Sequence, residues 1–281
     1  MSFCCEEFRK VLCGILRYAQ RVKDITAAIE EVVPLRWQES YDNAGLIVGD
    51  PEAEISSALL CVDITEEVVD EAISLGAGMI IAHHPIIFKA IKRLTGRSWV
   101  ERVVTKAIKH DIALYACHTN LDSAPEVGTS HYIARLLDLK VEATLQPSEE
   151  SAEIGIGVVC TTAEPMEPIE VLKNLKERLG LAVVRHSDLH SEPINRVAIC
   201  TGSGSSLMEQ ARRAGAQIYI ASDFSYHHFA DADRELTIAD IGHFESEYCA
   251  IDILFEIIRK KITTFALHKS NSSRNWINYL I

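Results

Sequence analysis

Short apolar runs alternate with segments of helical periodicity along most of this chain, and no other sequence feature restricts its fold as much. Residues 57–64 form a mostly apolar run typical of a buried strand, and residues 66–75 follow with helical spacing that ends at Gly76. Further strand patterns occupy residues 78–82, 112–117, 154–160, 181–185, 196–200, 217–221 and 236–240. Further helical patterns occupy residues 99–110, 168–179, 206–214 and 246–261. This alternation predicts an α/β fold.

Composition excludes several classes of protein. The chain has 281 residues with 28 Lys and Arg against 40 Asp and Glu, a formal charge of −12, which disfavours nucleic acid as a partner. A local basic patch at residues 89–97 keeps that alternative open, although such a patch is more often a solvated loop. No apolar run approaches the ~20 residues of a bilayer span, so we predict a cytoplasmic protein without a membrane partner.

The eight cysteines show no CxxC pair and no framework spacing. Most of them lie inside apolar runs, as Cys61 and Cys200 do. We therefore expect small buried side chains rather than metal ligands or nucleophiles.

Histidines and acidic residues follow three of the predicted strands. His83 and His84 come directly after residues 78–82, at a strand's carboxyl end, where open α/β sheets place their ligand sites. Adjacent residues leaving a strand point in different directions, so two metals would use this pair better than one. The alternative is one packed and one solvated histidine.

The other two clusters have the same position relative to a strand. His118 and Asp122 follow the next strand, and they would reach the same edge if the two strands are neighbours. Asp122 alone is better explained as a helix cap or turn residue. His243 and Glu247, four residues apart, share one helix face, although such a pair often occurs by chance.

Together the three clusters favour metal binding. Five candidate ligands exceed the three protein ligands typical of a catalytic zinc, namely His83, His84, Asp122, His243 and Glu247. The surplus suits a centre of two divalent ions, Zn, Fe, Mn or Co, that activates water for hydrolysis.

Five segments carry a resemblance to a known family: residues 37–51 (WQESYDNAGLIVGDP), 83–85 (HHP), 118–122 (HTNLD), 201–207 (TGSGSSL) and 242–247 (GHFESE). They resemble the GTP cyclohydrolase I type 2 homologue family, also called the NGG-interacting factor three-like family. The likeness extends from about Val22 to the end of the chain. Only about 120 residues separate Asp122 from His243, as in the short form of the family without an inserted domain.

The resemblance implies two α/β domains with mixed sheets flanked by helices, and a metal site at strand carboxyl ends between them. It places the ligands of two metals per subunit on the five candidates above, with Glu247 as a bridge, and it implies a homohexamer. His118 and His227 would move protons as catalytic residues. A solvated histidine pair at 227–228 is the alternative for His227.

We assign residues 1–21 to an N-terminal extension. Residues 22–145 with roughly 230–281 would form the metal-binding domain, and residues 146–229 a smaller second domain, because the polar stretch 146–151 is typical of a boundary. The tail from residue 270 opens as a linker, and Trp276, Ile277 and Tyr279 would dock if its end is tied down.

Two positions leave alternatives open. Residues 220–224 stand where the family often has TGD or TGE, so the role of Asp223 is open. The loop at residues 201–206 either holds a phosphate before a helix or forms a tight turn with Ser206 as the N-cap. Asp42, Asn43 and Gly45 suit a turn, and the resemblance places them near the site.

The resulting hypothesis is a dinuclear metal-dependent hydrolase of a nucleotide-like or small phosphorylated substrate, GTP cyclohydrolase-like by resemblance. The alternative is a metal-binding regulatory protein, interaction protein or metal carrier without catalysis.

Overall fold

The computed structural model describes residues 19–280. The strands are β1 Gln20–Arg21, β2 Gly45–Val48, β3 Glu54–Ile55, β4 Ser57–Cys61, β5 Met79–Ala82, β6 Ala113–Ala116, β7 Lys140–Pro147, β8 Gly155–Met166, β9 Arg185–His186, β10 Ile194–Ser203, β11 Ile218–Ser222, β12 Thr237–Asp240 and β13 Ala266–Lys269. The helices are α1 Val22–Glu30, α2 Glu66–Leu75, α3 Trp99–Lys109, α4 Thr119–Asp122, α5 Thr129–Leu136, α6 Pro168–Arg178, α7 Met208–Arg213, α8 Tyr226–Asp231, α9 His243–Glu247 and α10 Cys249–Lys261.

The chain divides into two compact units. The first comprises Met1–Asn120 and Ile251–Arg274, and the second comprises Leu121–Ala250 and Asn275–Ile281. These limits differ from those expected at 145 and 230. The polar stretch at 146–151 connects β7 to β8, whose ends pair Pro147 with Gly155, so it is a hairpin connection within one sheet. Strands β11 and β12 also pair, which keeps the residues on either side of position 230 in that sheet.

The predicted extension at residues 1–21 lies largely outside the described residues. Its last two residues form β1, which pairs with β3, so regular structure begins before Val22.

The sheet of the first unit has the order β13-β4-β5-β6-β2. Strands β13, β4, β5 and β6 run parallel, and β2 is antiparallel to β6. All residues of β4, β5 and β6 are buried, as expected of parallel strands covered on both faces. One hydrophobic core joins Leu59, Ile80 and Leu114 of the sheet to Val69 of α2 and Val103 of α3.

Helix α2 shows how local sequence sets the boundaries of an element. The Thr65 side chain accepts a hydrogen bond from the Val68 amide, which satisfies one exposed donor of the first turn. The helix ends at Gly76, whose φ of 66° is left-handed and costs glycine little. The predicted helix and its end are confirmed.

The sheet of the second unit has the order β7-β8-β10-β11-β12-β9. Its centre, β10-β11-β12, is parallel, and the flanking pairs are antiparallel. Its core packs Ala198, Tyr219 and Ile238 of the sheet against Ala211 of α7. The α/β fold with mixed sheets flanked by helices is therefore confirmed.

The described cysteines behave as expected. Cys61, Cys117, Cys160, Cys200 and Cys249 are buried, and the other three lie outside the described residues. Burial raises the pKa of the Cys160 and Cys200 thiols to about 12, so neither is a nucleophile at neutral pH.

Within residues 19–280, no helix combines the length and apolar character that crossing a bilayer requires.

The segment after β13 is fastened by one carboxylate. Glu71 of α2 accepts hydrogen bonds from the Ser270 hydroxyl at 2.6 Å and from the amides of Asn271 and Ser272 at 3.0 Å each. Burial alone would raise the pKa of Glu71, but these hydrogen bonds lower it below its ordinary value of 4.5. Beyond this anchor, Trp276 and Ile277 are about half exposed, at 52% and 53%, so they are not buried in the core.

We expect Glu71→Gln to destabilise the protein by about 1–2 kcal/mol at pH 7, because it weakens three hydrogen bonds to a charged acceptor. Since the folded-state pKa is depressed, this contribution is complete above pH 4.5 and is lost as the pH falls through the folded value. Denaturant unfolding at pH 7 and pH 3.5 measures it, with Glu54→Gln as an exposed control. A destabilisation that is equal at both pH values would contradict the assignment.

Candidate metal centre

Three histidines of the first unit form what we call the imidazole cluster, made of His83, His84 and His118. His83 and His84 follow β5, and His118 lies two residues beyond β6, so all three stand at carboxyl ends of parallel strands. Their ring centroids are 5.1–5.5 Å apart. Each ring offers a nitrogen, and these nitrogens all lie within 4.8 Å of one another. The cluster can therefore hold a metal ion.

Each ring of the imidazole cluster is oriented through Nδ1. The contact is to the carbonyl oxygen of Cys117 for His83 at 2.9 Å, to Asp63 for His84 at 2.9 Å and to Asp42 for His118 at 2.7 Å. An oxygen acceptor at Nδ1 favours the tautomer protonated there, which makes Nε2 the nitrogen that can bind a metal ion or a proton.

Asp42 is the most strongly held of these acceptors. Its buried carboxylate also accepts from the Asn43 amide at 2.7 Å, from the Thr119 amide at 3.0 Å and from the Thr119 hydroxyl. Burial alone would raise the pKa of Asp42, but the contacts with His118, Thr119 and Asn43 lower it to about 2. Asp42 is therefore ionised at neutral pH. The turn expected at residues 42–45 is thus also the support of His118.

Three residues of the second unit form what we call the carboxylate cluster, made of Asp122, His243 and Glu247. Nε2 of His243 lies 3.0 Å from Oε2 of Glu247, four residues later on α9. Asp122 and Glu247 offer carboxylate oxygens within 4.8 Å of each other. The i,i+4 pair predicted from sequence is therefore in contact, and Asp122 joins it.

His243 is oriented in the same way as the other histidines. Its Nδ1 lies 2.8 Å from Oδ2 of Asp223, which follows β11. The hydrogen bond from His243 lowers the pKa of Asp223. Burial alone would lower the pKa of His243, but Asp223 and Glu247 raise it to about 11. The position between these two carboxylates therefore favours positive charge, as a cation site must.

Buried hydroxyl groups hold Asp122. The Thr129 hydroxyl donates to Oδ1 of Asp122 at 2.6 Å and lies 2.6 Å from the Thr201 hydroxyl. The Ser130 hydroxyl lies 3.2 Å from that of Thr201. Thr129, Ser130 and Thr201 are buried, so this network fixes the direction of the Asp122 carboxylate.

The glycine-rich loop at residues 201–206 packs against the carboxylate cluster. A Cβ atom on Gly202, whose φ is +66°, would lie 2.0 Å from Oε1 of Glu247. The Gly202 amide donates to the Ser246 hydroxyl at 2.8 Å, and the Gly204 amide donates to the Ser222 carbonyl at 3.3 Å. Because these amides are engaged within the protein, the structure favours the tight-turn alternative over a phosphate loop. Ser206 is not the helix cap, since it lies in a 3-10 turn before α7.

Asp240 is a supporting residue that the sequence analysis missed. This buried carboxylate at the end of β12 accepts from the Gly242 amide at 3.2 Å and from the Phe224 amide at 3.4 Å. Arg185 donates to it as well. Asp240 thereby ties the turn after Asp223 to the turn before His243. Its position as the last residue of an apolar strand was the only sequence feature that could have identified it, and that feature is weak evidence.

His227 lies elsewhere on the second unit. It is exposed on α8, where its ring contacts that of Tyr226 at 5.5 Å between centroids. Among the described residues, no group capable of holding a metal includes it. Its neighbour His228 closes the capping box of α8 with Ser225.

The donors fit a divalent transition metal. Imidazole nitrogens with carboxylates suit Zn, Fe, Mn or Co. The supporting acceptors Asp42, Asp63 and Asp223 supply the outer-shell hydrogen bonds that metal-binding histidines typically make.

We expect Gly202→Ala to reduce metal affinity by about tenfold or more, because the new methyl group displaces the Glu247 carboxylate. Gly180→Ala is a matched control, since Gly180 has a φ of +63° and nothing within 4 Å of the added Cβ. Both variants carry the same backbone strain, about 1 kcal/mol. Titration with Zn²⁺ and Mn²⁺ distinguishes them, and equal affinities would show that Gly202 does not shape the site.

We expect Asp63→Ala and Asp223→Ala each to weaken metal binding by about 10- to 100-fold, because each leaves a histidine without its orienting acceptor. The Asn variants retain an oxygen acceptor without its charge, so their losses should be smaller. Competition with a chromophoric chelator measures the affinities, and Asp24→Ala on the exposed face of α1 is the control. Asn and Ala losses of the same size would count against orientation through Nδ1.

Comparison with known proteins identifies the family of this chain. The family model Duf34/NIF3 (NGG1p interacting factor 3) matches residues 20–275. A Clostridium perfringens protein named GTP cyclohydrolase 1 type 2 homolog is 34% identical over 243 residues, covering 86% of this chain and 92% of the relative. NIF3-like protein 1 of Drosophila melanogaster is 32% identical over 234 residues, covering 81% and 78%.

Solved structures agree on the fold. A Staphylococcus aureus hypothetical protein superposes with a TM-score of 0.81 at 27% identity, covering 92% of this chain and 99% of the other. A Bacillus cereus protein related to NIF3 has a TM-score of 0.83 at 22% identity, covering 93% and 99%, which speaks for the fold alone. The chain belongs to the Duf34/NIF3 family.

Proposed function

We propose that the imidazole cluster and the carboxylate cluster together hold two divalent cations and that the protein is a metal-dependent hydrolase. The observation that carries the proposal is the common arrangement of four histidines, each of which has its Nδ1 on an oxygen acceptor. Such an arrangement fixes the orientation of four rings and requires several buried or half-buried carboxylates. It is explained if Nε2 of His83, His84 and His243 binds metal and Nε2 of His118 carries a proton.

We assign the metal ligands to His83, His84, Asp122, His243 and Glu247, with Glu247 as the bridge. The sequence supports one centre rather than two unrelated sites, because only three residues separate His118 from Asp122. Zn, Fe, Mn and Co all remain possible occupants on donor chemistry.

When bound, the cations would activate water and polarise the electrophile under attack. The chain's own part is orientation and proton transfer. Asp42 stays ionised and fixes the His118 ring, so His118 presents Nε2 for accepting or returning a proton. His227 is the second proposed proton carrier, although its exposed position on α8 gives it a weaker case.

We infer that the substrate is nucleotide-like or another small phosphorylated molecule. Support comes from relatives that carry the name GTP cyclohydrolase 1 type 2 homolog. Hydrolytic opening of the purine imidazole ring of GTP is the specific reaction that this name suggests. A family name is an association rather than a mechanism, so the assay must include other phosphate esters.

The family resemblance also suggests a homohexamer. Light scattering of the purified protein in solution tests this assembly, and a monomer would contradict it.

Metal analysis and turnover of matched variants test the function. We expect two metal equivalents per chain in the wild type and a loss of at least one in both His84→Ala and Glu247→Gln. Turnover of GTP, nucleoside monophosphates or a generic phosphate ester should fall by more than about 100-fold, since water activation depends on the cations. His186→Ala, an exposed histidine of the second unit, serves as the control.

Three outcomes separate the alternatives. Metal and turnover lost together support the hydrolase. Two tightly held metals with no turnover of any substrate would favour the regulatory protein or metal carrier. If each variant loses a different metal without affecting the other, the two clusters are independent sites.

A further inference from the structure

Basic residues are concentrated between positions 89 and 109. Seven of the 28 Lys and Arg fall within these 21 residues, and Glu101 is the only acidic residue among them. Seven positive charges against one negative charge give the stretch +6, in a chain whose total is −12. Such segregation creates a local field that attracts anions to an otherwise acidic protein.

A cavity of about 460 Å³ opens in this stretch, entirely within the first unit. One wall is the face of α3 that carries Arg102, Lys106 and Lys109, at positions i, i+4 and i+7. The other wall is the loop that contains Thr95 and Gly96. We call this space the α3 cavity.

Glu101 fixes the loop wall. Its carboxylate accepts from the Thr95 amide at 2.7 Å, from the Thr95 hydroxyl at 2.9 Å and from the Arg97 amide at 3.2 Å. The single negative charge of the basic stretch is therefore committed to holding the loop. The cavity is a built feature of the chain rather than a gap beneath a loose segment.

Two of the three cations already have carboxylate neighbours at the surface. Arg102 Nε lies 2.8 Å from Glu66, and Lys106 Nζ lies 2.5 Å from Asp70. Exposed pairs of this kind are weak, so both side chains can turn to a bound anion at little cost. The Thr105 hydroxyl lines the same cavity and has no hydrogen-bond partner among the described residues.

We propose that the α3 cavity binds a phosphate group, either as inorganic phosphate or as the phosphoryl end of a small molecule. Arg102, Lys106 and Lys109 supply charge-assisted hydrogen bonds. The cavity is too small for a nucleic-acid duplex, and the net charge of −12 opposes one. The proposal does not depend on hydrolysis at the metal centre.

Calorimetric titration of the full chain in the presence of a chelator tests it, with inorganic phosphate and a nucleoside monophosphate as probes. We expect the double variant Lys106→Ala/Lys109→Ala to weaken binding by at least about tenfold. Asp70→Asn should strengthen binding by about two- to fivefold, because it releases Lys106 from a competing carboxylate. These opposite directions cannot both result from partial unfolding.

His84→Ala and Lys260→Ala should leave phosphate affinity unchanged, the first because it lies outside the cavity and the second because it lies on α10. Tighter binding of the monophosphate supports a phosphorylated small molecule, and equal binding supports the free anion. Loss of binding in His84→Ala would place the anion at the metal ligands and overturn the proposal. So would equal affinity in the double variant, or an oligonucleotide that binds more tightly than either probe.

Discussion

The hydrogen bond at Nδ1 of each metal-centre histidine is the interaction on which the proposed chemistry depends. Without an acceptor there, an imidazole ring can rotate and exchange tautomers, and its Nε2 lone pair has no fixed direction. Here the acceptor comes from a neighbouring strand end: Asp63 follows β4 and holds His84 after β5, while Asp223 follows β11 and holds His243 after β12. Parallel pairing thus places ligand and support side by side, because adjacent parallel strands end at the same edge.

Buried parallel strands also fix the positions of the site residues that follow them. Strands β4, β5 and β6 are buried along their lengths, and their register is fixed by pairing. The first residues beyond them inherit that precision: the His83 amide donates to the Cys61 carbonyl at 3.1 Å, and the Cys117 amide donates to the Ala82 carbonyl at 2.9 Å. A core that resists repacking therefore holds the proposed ligands in place, which is what a site of fixed coordination geometry requires.

The sequence predicted those elements whose apolar spacing is required by packing in the core. The bounds of α2 were predicted because its apolar residues have helical spacing and Gly76 closes it, and the buried strands β4, β5 and β11 were predicted because both of their faces are apolar. Strands β7 and β13 were missed because edge strands expose much of their surface and lack that run. The domain limits were predicted differently from those observed because a polar hairpin connection and a linker between domains have the same composition.

The residues that we propose as ligands were recognisable from sequence, whereas the residues that orient them were not. A histidine pair after a strand is rare, but a single aspartate after a strand, such as Asp63 or Asp240, is common turn chemistry. Substitutions of proposed ligands and of supporting residues should therefore have different effects on metal binding. Replacing Glu247 removes a donor and changes how much metal binds, whereas replacing Gly202 or Asp63 keeps every donor and alters only where one of them points. Substitution of a supporting residue should therefore reduce metal affinity without changing the number of metal ions bound. A site assembled by chance would show no such distinction.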